Sequence, residues 1–133
     1  MQLSQIHHLT FVVRDLEQSI HRYQVDLGVP CIEREELPGR GVRTARFRIG
    51  EVWIVLAQPI EEGEPMRFLR EHGDGLLLIS YQVADLQGAI ADRAARGAPE
   101  LSAPRVGLAG WKVVDIATSV TPGVITQLCE ALA

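Results

Sequence analysis

The sequence predicts an α+β fold of two tandem βαβββ modules, and three observations predict it. The run Val13-Arg14-Asp15-Leu16-Glu17-Gln18-Ser19-Ile20 recurs as Val83-Ala84-Asp85-Leu86-Gln87-Gly88-Ala89-Ile90, so one structural unit is written twice. Each copy follows a strand-like run and opens a helix-like one. The 133 residues, 47% of them hydrophobic, suit one domain with a shared core rather than two independent ones. Modules over 1–60 and 74–133, joined by a helical connector over 61–73, are the expected organisation.

The elements follow in order. Residues 7–13 alternate as a strand, with Leu9, Phe11 and Val13 on the face that should meet a helix and His8, Thr10 and Val12 on the other. Asp15 is an N-cap residue; Leu16, Ile20, Tyr23 and Leu27 then follow at helical spacing until Gly28-Val29-Pro30 ends the segment. Strands are expected over 31–36, 42–49 and 52–58, separated by Pro38-Gly39-Arg40-Gly41 and Gly50-Glu51. The connector holds a short helix around residues 65–70 before the turn Gly73-Asp74-Gly75. The second copy repeats the pattern: a strand over 76–83, a helix from Asp85 to about Arg96, and strands near 100–106, 111–117 and 123–129. The glycine-rich stretch 104–110 is read as a loop.

Composition narrows the function. A net charge of -4 and a pI near 5.5 argue against binding nucleic acid or an anionic membrane and favour a small-molecule ligand or substrate. No apolar stretch approaches a membrane span, and Met1-Gln2-Leu3-Ser4 has no leader character, so a cytoplasmic protein is expected. Cys31 and Cys129 make no CxxC pair and read as reduced thiols.

A paired βαβββ unit with His8 in its first strand resembles the vicinal oxygen chelate superfamily of glyoxalases, bleomycin-resistance proteins and extradiol dioxygenases. The sequence is most similar to methylmalonyl-CoA epimerases, through Ile6-His7-His8-Leu9, Arg34-Glu35-Glu36-Leu37-Pro38, Gly41-Val42-Arg43, Pro104-Arg105-Val106-Gly107, and Gly123-Val124 running to Leu128-Cys129-Glu130. The resemblance implies a cup-shaped mixed sheet, a homodimer, and a divalent metal that polarises a substrate oxygen while a carboxylate moves a proton. Carried over residue by residue, the metal ligands fall on His8, Val55, Leu78 and Gln127. Only His8 keeps a strong ligand, and Gln127 is an amide where the family has glutamate. Thr44 stands where a proton-transfer glutamate is implied. No cofactor is therefore expected, although other donors leave room for a weakly held divalent ion.

Strand alternation lists what shares the inner wall with His8, Thr44, Val55, Leu78 and Gln127: Thr10, Val12, Arg46, Trp53, Ser80, Gln82, Asp115 and Ile125. Arg46 and Asp115 sit at equivalent places in the two repeats and are expected as an opposite-charge pair. They form either an anion-binding and proton-moving pair working with His8 or a salt bridge that only fills space. Thr44, Trp53, Ser80, Gln82 and Gln127 are the candidate ligand contacts. The acidic residues Glu33, Glu35 and Glu36 are assigned to surface solubility, and His7, His21 and His72 receive no chemistry. Three functions follow. The first is a metal-independent isomerase or lyase on an acyl-thioester or related carbonyl compound, using His8, Asp115 and Arg46. The second is a non-catalytic protein that sequesters a ligand. The third is a metal-dependent epimerase or lactoylglutathione-lyase type of enzyme.

Overall fold

Alternation at the head of the chain produces β1 (Leu3–Val12), which begins at Leu3 rather than His7. The computed structural model describes residues 2–98 and 101–130, with nothing stated for the side chain of Thr118. Two compact units divide the chain: the first runs His8–Leu77, and the second joins the residues up to His7 to those from Leu78 onward.

In the first unit the Asp15 side chain accepts from the Gln18 amide at 3.0 Å and starts α1 (Leu16–Asp26). Gly28, with φ of 66°, lets the chain reverse after it at a conformation a side chain would resist. β2 (Glu33–Leu37), β3 (Val42–Ile49) and β4 (Val52–Pro59) follow, and the strand order is β2-β3-β4-β1, with β4 parallel to β1 and the other pairs antiparallel. The expected helix-facing residues do meet α1. Val13, Leu16, Ile20, Ala45, Phe47, Ile54 and Leu56 form the buried cluster, with Leu9, Phe11 and Tyr23 packed against it. Tyr23 stacks on Phe47 at 4.8 Å between ring centroids, and burial raises the Tyr23 phenol above its ordinary pKa. Each large apolar side chain buried this way contributes about 1.5–3 kcal/mol. The connector helix is α2 (Glu64–His72), wider than the residues 65–70 read from the sequence; Pro65 occupies its first turn, where no backbone donor is needed.

The second unit repeats the scheme with β5 (Gly75–Val83), α3 (Leu86–Ala95), β6 (Arg105–Val106), β7 (Lys112–Thr121) and β8 (Val124–Glu130), ordered β5-β8-β7-β6. Val83, Leu86, Ala89, Val114, Ile116 and Leu128 make its core. The strand expected near 100–106 shrinks to Arg105–Val106 plus a single bridge from Leu101 to Ile116. Pro104 has no N–H to offer a ladder, and the start of the expected strand, residues 99 and 100, lies outside the described residues. Within the stretch read as a loop, Leu108–Gly110 forms a 3-10 turn in which Ala109 is left-handed at φ 55°.

The repeat extends to a detail that its sequence motif does not contain. Gln58 at the end of β4 accepts the Leu16 amide at 2.8 Å, and Glu130 at the end of β8 accepts the Leu86 amide at 3.1 Å. In each unit a strand-end side chain thus satisfies an otherwise orphaned donor at its helix start. Among the described residues, no helix is long and apolar enough to cross a membrane.

Candidate active site

Register decides which side chains share the sheet face away from each helix. In the second unit Ser80 pairs with Gln127, and Gln127 with Asp115, across β5, β8 and β7. Arg105 reaches Asp115 from β6, its Nη1 donating to Oδ2 at 3.1 Å and its Nη2 to Oδ1 at 3.4 Å. Gln127 Nε2 donates to the same Oδ1 at 3.0 Å, and the Asp115 backbone amide donates to Ser102 Oγ. The result is a carboxylate oriented by a guanidinium and an amide. Gln127 Oε1 and Ser80 Oγ are buried and have no hydrogen-bond partner of normal geometry among the described residues. Burial pushes the Cys129 thiol up to about 12, and proximity to the Ser80 hydroxyl offsets only part of that rise. Gln82, on the same face, donates through Nε2 to Ser4 Oγ at 3.2 Å.

In the first unit His8 and Trp53 are register partners, as are Thr10 and Val55, and Arg46 lies opposite Val55 on β3. His8, Thr10, Thr44 and Val55 are buried. Thr44 donates its hydroxyl to the Glu35 carbonyl at 2.8 Å, which makes it a strand-pairing residue. Arg46, with a side chain 12% exposed, donates to Glu33 at 3.0 Å and Glu35 at 3.3 Å, and its guanidinium lies 5.5 Å from the centroid of Trp53. Arg48 lies 5.3 Å from the same ring.

Several expectations change accordingly. The sequence joined Arg46 to Asp115; each instead has its ion-pair partners inside its own unit, Glu33 and Glu35 for one and Arg105 for the other. Glu33 and Glu35 are not mere solubilising charges, because they sit in register with the strand that carries Arg46. Arg105 and Arg48 join these faces without having been expected there. Strand alternation alone points to Arg48, two residues beyond Arg46, whereas a glycine-rich reading of 104–110 hid the short strand bearing Arg105. His7 is buried, its ring edge-on to Trp111 at 4.6 Å. A surface cleft of 730 Å³ is lined by Arg14, Asp15, Gln18, Gln58 and Asp74, groups that include the caps of α1.

The positions to which the resemblance assigns metal ligands do not fit a divalent ion. Val55 and Leu78 are buried aliphatic side chains without donor atoms, and Gln127 offers only a neutral amide oxygen where the resemblance implies a carboxylate. The second unit does hold another donor pair, His7 and Cys129, whose ligand atoms lie within 4.8 Å of each other. A raised thiol pKa opposes the thiolate a metal requires.

Comparison with known proteins supplies the class. The Glyoxalase/Bleomycin resistance protein/Dioxygenase superfamily matches residues 7–114, and the chain belongs to that family. It is 26% identical over 132 residues to the uncharacterized protein YqjC of Bacillus subtilis (strain 168), covering 96% of this chain and 93% of that protein. Among solved structures, the methylmalonyl-CoA epimerase of Mycobacterium tuberculosis matches with a TM-score of 0.90 at 24% identity, covering 98% of this chain and 90% of that one. A variant of the Streptomyces coelicolor methylmalonyl-CoA epimerase in complex with 2-nitronate-propionyl-CoA matches with a TM-score of 0.89 at 26% identity, covering 99% and 100%.

Proposed function

We propose that this protein is a metal-independent isomerase or lyase that moves a proton on the carbon beside the carbonyl of an acyl-thioester or related compound. The observation that carries the reading is the orientation of Asp115. Its side chain is 21% exposed, and its two oxygens receive three hydrogen bonds from Arg105 and Gln127, which leaves Oδ2 a lone pair for a substrate proton. Asp115 is the proposed base, and Arg105 and Gln127 hold it. His8 is the proposed second proton-handling group. Arg46 is taken up by Glu33 and Glu35, so its proposed role moves from anion binding to fixing Trp53, against which a ligand would lie. The resemblance to epimerases solved in complex with 2-nitronate-propionyl-CoA and methylmalonyl-CoA supports the thioester as substrate class. The whole chain is taken as one functional domain acting as a cytoplasmic homodimer.

A second reading, sequestration of a ligand without turnover, is favoured by the internal pairing of both Arg46 and Asp115. One experiment separates them. The protein is incubated in D2O and EDTA with a panel of acyl-CoA thioesters, and exchange of the proton beside the carbonyl is followed by NMR. Exchange that persists in EDTA and disappears in Asp115→Asn is the expected result. Binding without exchange selects sequestration, and exchange that EDTA abolishes overturns metal independence.

A further inference from the structure

The geometry points to Gln127 as a specificity-determining residue whose carbonyl oxygen reads a hydrogen-bond donor, a hydroxyl or N–H, on the acyl group of the ligand. The inference rests on the thioester reading above for the ligand class, but on separate observations for the donor. A carboxylate only accepts, so the group that Gln127 presents to Asp115 Oδ1 at 3.0 Å has to be its NH2. The carbonyl oxygen is therefore turned the other way by chemistry, not by choice of rotamer. That oxygen is buried, has no partner among the described residues, and belongs to a side chain whose residue is 3% exposed.

A second buried oxygen stands beside it. Ser80 is the register partner of Gln127 on β5, is 0% exposed, and its Oγ also lacks a hydrogen bond of normal geometry among the described residues. An unpaired buried acceptor such as the Gln127 oxygen carries a penalty that a donor-bearing ligand removes and an apolar one does not. Arg105 and Asp115, with side chains 26% and 21% exposed, are the members of the cluster nearest solvent, so a ligand approaches past them. Arg105 holds Asp115, and Asp115, besides its proposed part as base, holds the amide with its oxygen turned away from the carboxylate.

The test is a comparison of dissociation constants by calorimetry for butyryl-CoA, 2-hydroxybutyryl-CoA and 3-hydroxybutyryl-CoA. One net hydrogen bond corresponds to a preference of roughly tenfold for a hydroxylated probe. The expected result is that preference for one of the two hydroxylated probes in the unaltered protein, falling to within about twofold of unity in Gln127→Leu. A structural role alone would shift all three affinities together. Equal binding of the three probes by the unaltered protein, or a preference unchanged in Gln127→Leu, overturns the inference while leaving α-proton exchange to decide the proposed reaction. A hydroxyl preference without exchange keeps the inference and removes the reaction. Failure of all three thioesters to bind overturns both.

Discussion

Arg105 holds Asp115 through both of its terminal nitrogens, at 3.1 and 3.4 Å, from a strand of only two residues. The pair stands between the exposed ion pairs, worth about 0–1 kcal/mol, and the buried ones whose disruption costs about 3–5. Arg105→Met is expected to lower unfolding stability by about 1–2 kcal/mol in urea titrations. The loss should be smaller in Arg105→Met combined with Asp115→Asn than the sum of the single changes, because the two act as one unit.

Asp115→Asn should remove turnover while sparing the fold. The amide is close in shape and keeps an acceptor for Gln127, but it cannot take a proton. Positioned acid–base groups contribute about 10²–10⁴ in rate, so the variant should lose at least about a hundredfold of the α-proton exchange. An unchanged rate would reduce Asp115 to a partner of Arg105.

Metal analysis of protein purified without chelator should find well below one equivalent of divalent ion. The reason is chemical: neither Val55 nor Leu78 carries a donor, and Gln127 offers only a neutral amide oxygen. Stoichiometric zinc, cobalt or manganese would show that other groups have taken over, with His7 and Cys129 the first to substitute.

Much of this architecture is legible in the sequence because it follows from periodicity. Leu9, Phe11 and Val13 alternate on β1 and pack against Leu16 and Ile20, whose spacing is helical, and both cores reproduce that reading. Ion-pair partners are less legible, since a long side chain bonds whatever the register sets beside it. Arg46 lies opposite Glu33 across β2 and β3, a relation fixed by the hairpin between them and not by spacing from Asp115. Arg105 was hidden for another reason: a two-residue strand is too short to show alternation. Gln58 and Glu130 could be found only in three dimensions, as they reach helix starts 42 and 44 residues away in sequence.

Those two side chains give a paired prediction. Gln58→Ala and Glu130→Ala each strip an acceptor from a helix-start amide and should each cost about 1 kcal/mol in chemical denaturation. Glu130→Gln keeps an acceptor and should lose distinctly less than the alanine variant. Equal losses in the two Glu130 variants would assign its effect to charge, for example to its ion pair with Lys112.

Cys129 makes the high-pH behaviour of the protein predictable in sign. Burial lifts its thiol from an ordinary value of 9.0 to about 12, so the native state holds the proton where the unfolded chain has released it. Stability from this group is complete below pH 9 and drains away as pH rises from there towards about 12, because the unfolded state gains by ionising first. Unfolding midpoints measured across that range should fall more steeply for the unaltered protein than for Cys129→Ala, with the two tyrosines and the single lysine contributing equally to both. The thiol that is half-buried, Cys31, should be the one that reacts with a thiol reagent at pH 8, and Cys129 should react only in denaturant. Rapid labelling of both thiols in the native protein would mean that the strand carrying Cys129 opens readily, and Gln127, two residues earlier on the same face, would then be held far less firmly than its bond to Asp115 implies.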